Sequence, residues 1–399
     1  MTAAENISAP AAEPAEPLHR GRIDGLDVLR GIVMVLMALD HTRDYLLTNS
    51  DAFDITDPAK SNLVLYFTRW VSNFCAPTFL LLAGLGPWLR RAQGVSPGAL
   101  SGFLVSRGLW LILLELTVVG TGFSFHPGML FPQVIWVIGA SMILLAAFSR
   151  APTGVVLAIG VAIIALHDLL DPIDARSFGA WAFPYQMLYS GPTPFAFGPI
   201  KGVLLYSLIA WTGIMFLGFG LGPIFKLPRV KRDLALTLLG LGMIATFVVL
   251  RVINGYGDFI PFVQQPTAAR EVMAFLRVSK YPPTLDFTLA TLGPMLMLLP
   301  WLDRWKGRAM EVLRTFGRVP FFFYILHIYL IHGLSAAYGM AHGLPFSAYT
   351  DLLNRPKDMG VSLPMVYLIW IGVVVVLYFP CRWFEGVRQR RHDWWLSYL

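Results

Sequence analysis

The feature that most restricts this chain is a recurrence of apolar windows of roughly 20 residues from Leu26 to Tyr398, each long enough to cross about 30 Å of hydrocarbon as a helix. Approximate windows are 26–46, 62–89, 103–121, 133–149, 153–170, 202–222, 234–253, 284–301, 319–340 and 361–380. The fold class that follows is all-α, a polytopic transmembrane helical bundle of about ten spans. Composition agrees, because only 14% of the 399 residues are charged and mean hydropathy is +0.61, against about 25% charged in a soluble domain. No interval between windows accommodates a soluble domain, so residues 19–399 read as a single membrane domain. Residues 1–18, rich in Ala, Glu and Pro, read as a disordered tail; they lack the basic-then-apolar order of a signal peptide.

Positive charge orients the bundle. Sorted by alternate sides, about 20 Lys and Arg residues fall with the N-terminus and about 11 opposite, and cytoplasmic loops carry the excess. Arg90, Arg91, Arg150, the cluster from Lys226 to Arg232, and the runs Arg304 to Arg318 and Arg382 to Arg391 then face the cytoplasm, with both termini. The opposite loops hold Asp51, Asp54 and Asp57, then Asp168, Asp171 and Asp174, then Asp351 to Asp358. Thr267 to Lys280 departs from this rule: it carries Arg270, Arg277 and Lys280, and Val272, Phe275 and Leu276 recur at the spacing of a helix lying in the interface. Its basic side faces either headgroups or an anionic group.

A net charge of +7 does not indicate nucleic acid, because the basic residues form short clusters between spans instead of one patch with aromatics. Cys75 and Cys381 lie in or beside apolar spans and offer neither a disulfide framework nor metal-ligand spacing. Gly84, Gly86, Gly213, Gly218, Gly220 and Gly222 suit close helix packing. Trp136, Trp181, Trp211, Trp301, Trp394 and Trp395 suit interface anchoring.

An ionisable side chain in hydrocarbon must be paired, solvated in a cavity or functional. The first window is polar at both ends: Asp27 and Arg30 at one, Asp40-His41-Thr42-Arg43-Asp44 at the other. Asp27 and His41 are about 21 Å apart along a helix, so they approach opposite faces of the membrane. Asp27 and Arg30 have the spacing of an intrahelical pair. His41 shares a helix face with Asp44, and a carboxylate beside an imidazole fixes its tautomer and raises its basicity, as a general base requires. The plainer alternative is an interface histidine bonded to headgroups. Other titratable residues in apolar surroundings are Arg69 with Asn73 one turn on, Glu115, His167 with Asp168, Arg251, His327 and His332. Arg69 and Glu115 are opposite charges in neighbouring spans and read as an ion pair, and His327 as a buried structural histidine. Soluble-enzyme signatures such as a Walker loop, GxSxG or HExxH are absent.

The opening Arg22-Ile23-Asp24-Gly25-Leu26-Asp27-Val28-Leu29-Arg30-Gly31, running into Met37-Ala38-Leu39-Asp40-His41, resembles bacterial membrane proteins related to the heparan-alpha-glucosaminide N-acetyltransferase catalytic domain. Further matches are Phe67-Thr68-Arg69-Trp70, Phe74-Cys75-Ala76-Pro77, Lys280-Tyr281-Pro282-Pro283, Leu292-Gly293-Pro294 and Gly317-Arg318-Val319-Pro320-Phe321 to His327. The resemblance implies an acyltransferase that takes acetyl or another acyl group from cytoplasmic acyl-CoA, as cosubstrate, and delivers it to an extracytoplasmic sugar or glycan. It implies the bacterial inner membrane, no bound cofactor, and room for a homodimer. His41 matches the histidine that ends the first span in the sugar-modifying relatives. The lysosomal acetyltransferase instead has its catalytic histidine in the following loop, where none lies between His41 and Trp70.

The expected catalytic set is therefore His41 as base with Asp44 or Asp40 orienting it, and the expected substrate-binding set is Arg69, Asn73, Arg43, Glu115, Lys280 and His327. A tunnel joining Arg30, Arg69 and His41 is the geometric expectation. The rival reading is a transporter or lipid-handling protein without covalent chemistry, although no inverted repeat is visible.

Overall fold

The structure is a computed structural model describing residues 23–391 and 393, apart from 51, 127, 199, 351–355 and 357. The tail 1–18, Asp51, Asp351, Trp394 and Trp395 lie outside the described residues. Helix accounts for 72% of the structure, which makes the fold all-α.

Helix α1 (Asp24–Leu46) is followed by α2 (Leu63–Trp70), which passes through a tight 3₁₀ turn into α3 (Cys75–Ala92). Helix α4 (Pro97–Leu114) continues through a π turn, Glu115–Val119, into α5 (Gly120–Ser124). After a two-residue strand β1 (Met129–Leu130) come α6 (Val134–Ala147), α7 (Thr153–Leu166) and the short α8 (Ala182–Leu188). A hairpin, β2 (Thr193–Phe197) with β3 (Ile200–Leu204), adds to β1 in the order β1-β3-β2. Then follow α9 (Leu208–Gly220), α10 (Arg229–Ile253), α11 (Ala268–Phe275), α12 (Leu285–Leu302), α13 (Arg308–Arg318), α14 (Pro320–Ala341) and α15 (Leu363–Arg390).

Among the described residues, seven helical runs, built on α4, α7, α9, α10, α12, α14 and α15, are long and apolar enough to cross a membrane. Helix α1 carries too many charged ends to qualify by hydropathy, and α6 has only 14 residues. The window 202–222 needs correction, since its first residues belong to β3 and helix begins only at Leu208. The segment around Val272 is helical as expected, but Met273 and Ala274 are its buried residues and Val272 points outward. Tyr66 and Trp70 donate to the carbonyls of Met273 and Leu276, so α11 is tied to α2.

Helix α1 runs through the interior. Its acidic first turn is gripped by α13, a basic amphipathic helix that the hydropathy windows passed over. Arg30 and Arg318 converge on Asp27 at 2.7 and 3.7 Å, and Arg314 reaches Asp24 at 3.4 Å. Arg318 also binds Glu385 of α15 at 2.6 Å, so the first and last helices end on one face. On the same face Arg232 bonds Asp303 at 2.6 Å and Arg91 donates to the Ala151 carbonyl. At the opposite end of α1, Leu47 pairs with Val361, which precedes α15.

Close packing rests on small residues at particular crossings. A Cβ at Gly84 would strike the Met215 carbonyl, and one at Gly218 would strike the Leu81 carbonyl, so α3 and α9 meet backbone to backbone. Gly86, two residues on and so turned away from that seam, has open space instead. Gly218→Val should therefore lower stability by about 1–3 kcal/mol through overpacking. Gly86→Ala should change it by no more than about 0.5 kcal/mol. Thermal unfolding of the detergent-solubilised variants measures both.

Candidate active site

His41 lies on the last turns of α1, where an eight-residue apolar stretch gives way to Asp40. Its ring stacks on His327 of α14 with centroids 4.9 Å apart and planes 12° from parallel, and Phe123 meets it edge-on at 5.3 Å. His41 Nδ1 and His327 Nε2 are 2.7 Å apart. His327 is fully buried, and its Nδ1 lies 3.2 Å from the Phe323 carbonyl oxygen. A carbonyl only accepts, so His327 Nδ1 donates to it and His327 Nε2 accepts from His41 Nδ1. This directional chain leaves the lone pair of neutral His41 on Nε2. The histidine read from sequence as a buried structural residue is thus the hydrogen-bond partner of the candidate base.

The carboxylates have a different engagement from the expected one. Arg43, 1% exposed, reaches Asp40 at 2.6 Å and Asp44 at 2.5 Å. The expectation that Asp44 or Asp40 orients His41 by a hydrogen bond is replaced: the ring bond goes to His327, and both carboxylates balance the buried guanidinium. Asp40 still lies within electrostatic reach of Arg69, Lys280 and His41. Lys280 Nζ sits over the rings of Tyr281 and Tyr206, at 5.2 and 5.9 Å.

Glu115 and Arg69 do not form the ion pair that their charges suggested. Glu115, fully buried in the π turn, accepts from the backbone N–H groups of Gln133 and Trp136 at 2.9 and 3.2 Å. It caps the start of α6, where orphan donors and the helix dipole favour negative charge. Arg69 instead bonds Ser72 and Asn73 within the α2–α3 turn, at 2.9 and 3.1 Å.

Other polar residues brace the segment that presents Lys280. Arg251 donates to the carbonyls of Ile260, Ala274, Phe275 and Arg277. Asp258 accepts from the Ser279 N–H and hydroxyl and from the Thr284 hydroxyl, and His167 Nε2 lies 2.8 Å from the Pro283 carbonyl.

On the basic side of the bundle, a cavity of about 330 Å³ is bounded by α1, α3, α4, α6 and the start of α14. Arg30, Arg90, Arg107, Arg318 and Arg388 line it, and Met34, Leu111, Val134, Ile135, Ile138 and Met142 supply its apolar wall. Met142 to Val134 spans about 12 Å of α6. The expected tunnel is therefore only partly present, with Arg30 lining the cavity while His41 and Arg69 do not. Tyr324 closes the way: it lines the cavity, and its ring lies 5.3 Å from that of His327. Tyr324 was not singled out in the sequence, although its position one helical turn before His327 was the available signal.

Together these features describe a polytopic helical membrane protein with a histidine pair, His327 buried and His41 partly so, set one residue layer from an arginine-lined cavity. Residues 22–251, more than half the chain, match the family described as heparan-alpha-glucosaminide N-acetyltransferase, catalytic. The chain belongs to that family and is a membrane acetyltransferase-like protein. The match includes His41, Arg69 and Glu115; Lys280, Tyr324 and His327 lie beyond it. No curated protein matches the chain.

The two roles of Glu115 separate cleanly by mutation. Glu115→Ala should cost about 1–3 kcal/mol by orphaning two buried N–H groups. In a double-mutant cycle with Arg69→Ala, coupling should stay within about 0.5 kcal/mol, as for residues without a shared partner.

Proposed function

We propose that this chain is an integral acyltransferase of a bacterial inner membrane, moving an acetyl or other acyl group from cytoplasmic acyl-CoA to an extracytoplasmic sugar or glycan. The observation that carries this reading is the sequence of parts across the bundle: arginine-lined cavity, Tyr324, His327, His41. In this family the donor is in general acetyl-CoA. The cavity suits that donor because guanidinium groups bind phosphates with charge-assisted hydrogen bonds, while the narrow apolar interior accepts a thioester arm. The excess of Lys and Arg on the cavity side supports a cytoplasmic assignment for that face and for both chain ends.

His41 acts as general base. As the acceptor oxygen or nitrogen attacks the thioester carbonyl, Nε2 takes its proton. The carbon–sulfur bond breaks, and the thiolate of CoA recovers a proton. His327 holds the Nδ1–H tautomer that this requires, so an unprotonated nitrogen points away from the pair. Arg69, Asn73, Arg43 and Lys280 form the polar surroundings for the acceptor, with Arg43 kept in place by Asp40 and Asp44. Glu115 supports the site by capping α6, not by touching substrate. A transporter would use the same buried charges without bond cleavage, and the two readings separate by whether CoA is released.

With purified protein, labelled acetyl-CoA and a panel of amino sugars and glycans, acceptor-dependent CoA release is expected. His41→Ala should lower its rate by about 10²–10⁴-fold. No release with any acceptor, together with an unaltered His41→Ala variant, would overturn the catalytic reading. Acid should suppress the rate about tenfold per pH unit once the base protonates, since an imidazolium has no lone pair to offer. Arg90→Ala should raise KM for acetyl-CoA and leave kcat nearly unchanged, because phosphate binding is the same in ground and transition states.

A further inference from the structure

Tyr324 occupies the boundary between the cavity and the histidine pair, and nothing in the fold explains its hydroxyl. The side chain is 3% exposed and its ring is well packed, against Phe321 in a parallel stack and against His327 edge-on. Among the described residues the hydroxyl oxygen is buried and has no hydrogen-bond partner. Leaving a buried hydroxyl unpaired costs about 1–3 kcal/mol, and a phenylalanine would fill the same space without that cost. The contrast with neighbouring tyrosines is direct: Tyr45 donates to the Phe123 carbonyl at 2.6 Å and Tyr329 to the Val118 carbonyl at 2.7 Å.

The cavity that Tyr324 lines has an apolar wall that includes Leu111, Val134 and Ile135, none of which can donate a hydrogen bond. A thioester carbonyl brought there would meet no other side-chain donor from that set. Position in the helix adds the second constraint. Tyr324 precedes His327 by three residues, about 4.5 Å along α14, so the two side chains share one face of that helix and their rings lie 5.3 Å apart.

We infer that Tyr324 is a catalytic residue whose hydroxyl donates a hydrogen bond to the acyl carbonyl oxygen of the bound thioester. This inference rests on the acyl-CoA reading of the cavity. When the acceptor attacks, the carbonyl carbon becomes tetrahedral and negative charge gathers on its oxygen, where the Tyr324 O–H strengthens its bond. Collapse of that species expels the CoA thiolate and restores the carbonyl; the acceptor proton has gone to His41. The tyrosine keeps its own proton throughout. A preorganised donor in a site that excludes water is worth about 10²–10³-fold in rate.

The test uses the full chain in lipid nanodiscs and acetyl-CoA labelled with ¹³C at the thioester carbonyl. In the wild type, the difference infrared spectrum of bound acetyl-CoA should show the carbonyl stretch lowered from its value in an apolar solvent. In Tyr324→Phe that lowering should vanish, with the dissociation constant for acetyl-CoA changed less than threefold and acyl transfer slowed about 10²–10³-fold. The melting temperature should hold or rise, because the substitution removes an unpaired buried hydroxyl. If wild type and Tyr324→Phe bind acetyl-CoA with the same carbonyl stretch, the role of Tyr324 is overturned while the donor site stands. If the wild type binds no acetyl-CoA, the acyl-CoA reading falls and this inference with it. A Tyr324→Phe protein that fails to fold marks the hydroxyl as structural and also overturns the proposal.

Discussion

Charge inside hydrocarbon is the constraint on which the rest of this molecule depends. Helix α1 carries ionisable groups at both ends, and neither end is stable in lipid without charged partners, which one end draws partly from α13 and the other from α1 itself. At one end Asp24 and Asp27 are met by Arg30, Arg314 and Arg318. At the other, Arg43 is enclosed between Asp40 and Asp44. Of these pairs only those of Arg314 and Arg318 come from another helix, α13, and α1 lies in the interior with α3, α12, α13, α14 and α15 against it. The site follows from that placement, since the same helix delivers Arg30 to the cavity and His41 to His327.

A second consequence concerns backbone groups freed where helices break. The π turn at Glu115, the 3₁₀ turn after Trp70 and the loop before α12 each interrupt regular hydrogen bonding. Side chains repair the second and third, while at the first the π turn brings Glu115 to the start of another helix. Glu115 satisfies the first N–H groups of α6; Arg69 and Ser72 close the α2–α3 turn, with Ser72 bonding the Arg69 carbonyl; Arg251 gathers four carbonyls of the loop. Several charged residues inside the bundle are thus explained as braces that hold others at the site. The presence of a buried charge alone did not separate the two kinds.

Much of the fold was legible before any coordinates. The apolar windows located most of the helices, with α4 and α10 starting earlier, at Pro97 and Arg229, and α15 running on to Arg390, because a stretch that must cross about 30 Å of lipid has little choice but helix. Hydropathy failed where its premise fails. Helix α13 is amphipathic and basic, and residues 202–204 are a strand in a small sheet, so neither is reported by a count of apolar residues. The protein-facing residues of α11 were not legible either: Val272 points outward, as an interfacial face would, while Met273 and Ala274 pack against the protein. Periodicity identifies an apolar face but not whether lipid or protein covers it.

Sequence by itself determined the all-α membrane class and the polar ends of the first helix, and it named His41, Arg69, Glu115, Lys280 and His327 as candidates. Tertiary structure alone decided their company. His41 and His327 are 286 positions apart yet meet at 2.7 Å, while Arg69 and Glu115, closer in sequence, each bond to other groups. The physical reason is that hydrogen bonds and ion pairs are short-ranged and directional, so partners are chosen by helix crossing and rotation. Those depend on glycine contacts such as Gly84 with Met215, which a linear reading names only as candidates. Tyr324 shows the same limit: an unpaired hydroxyl at a cavity wall is a property of the packed bundle, and no spacing along the chain encodes it.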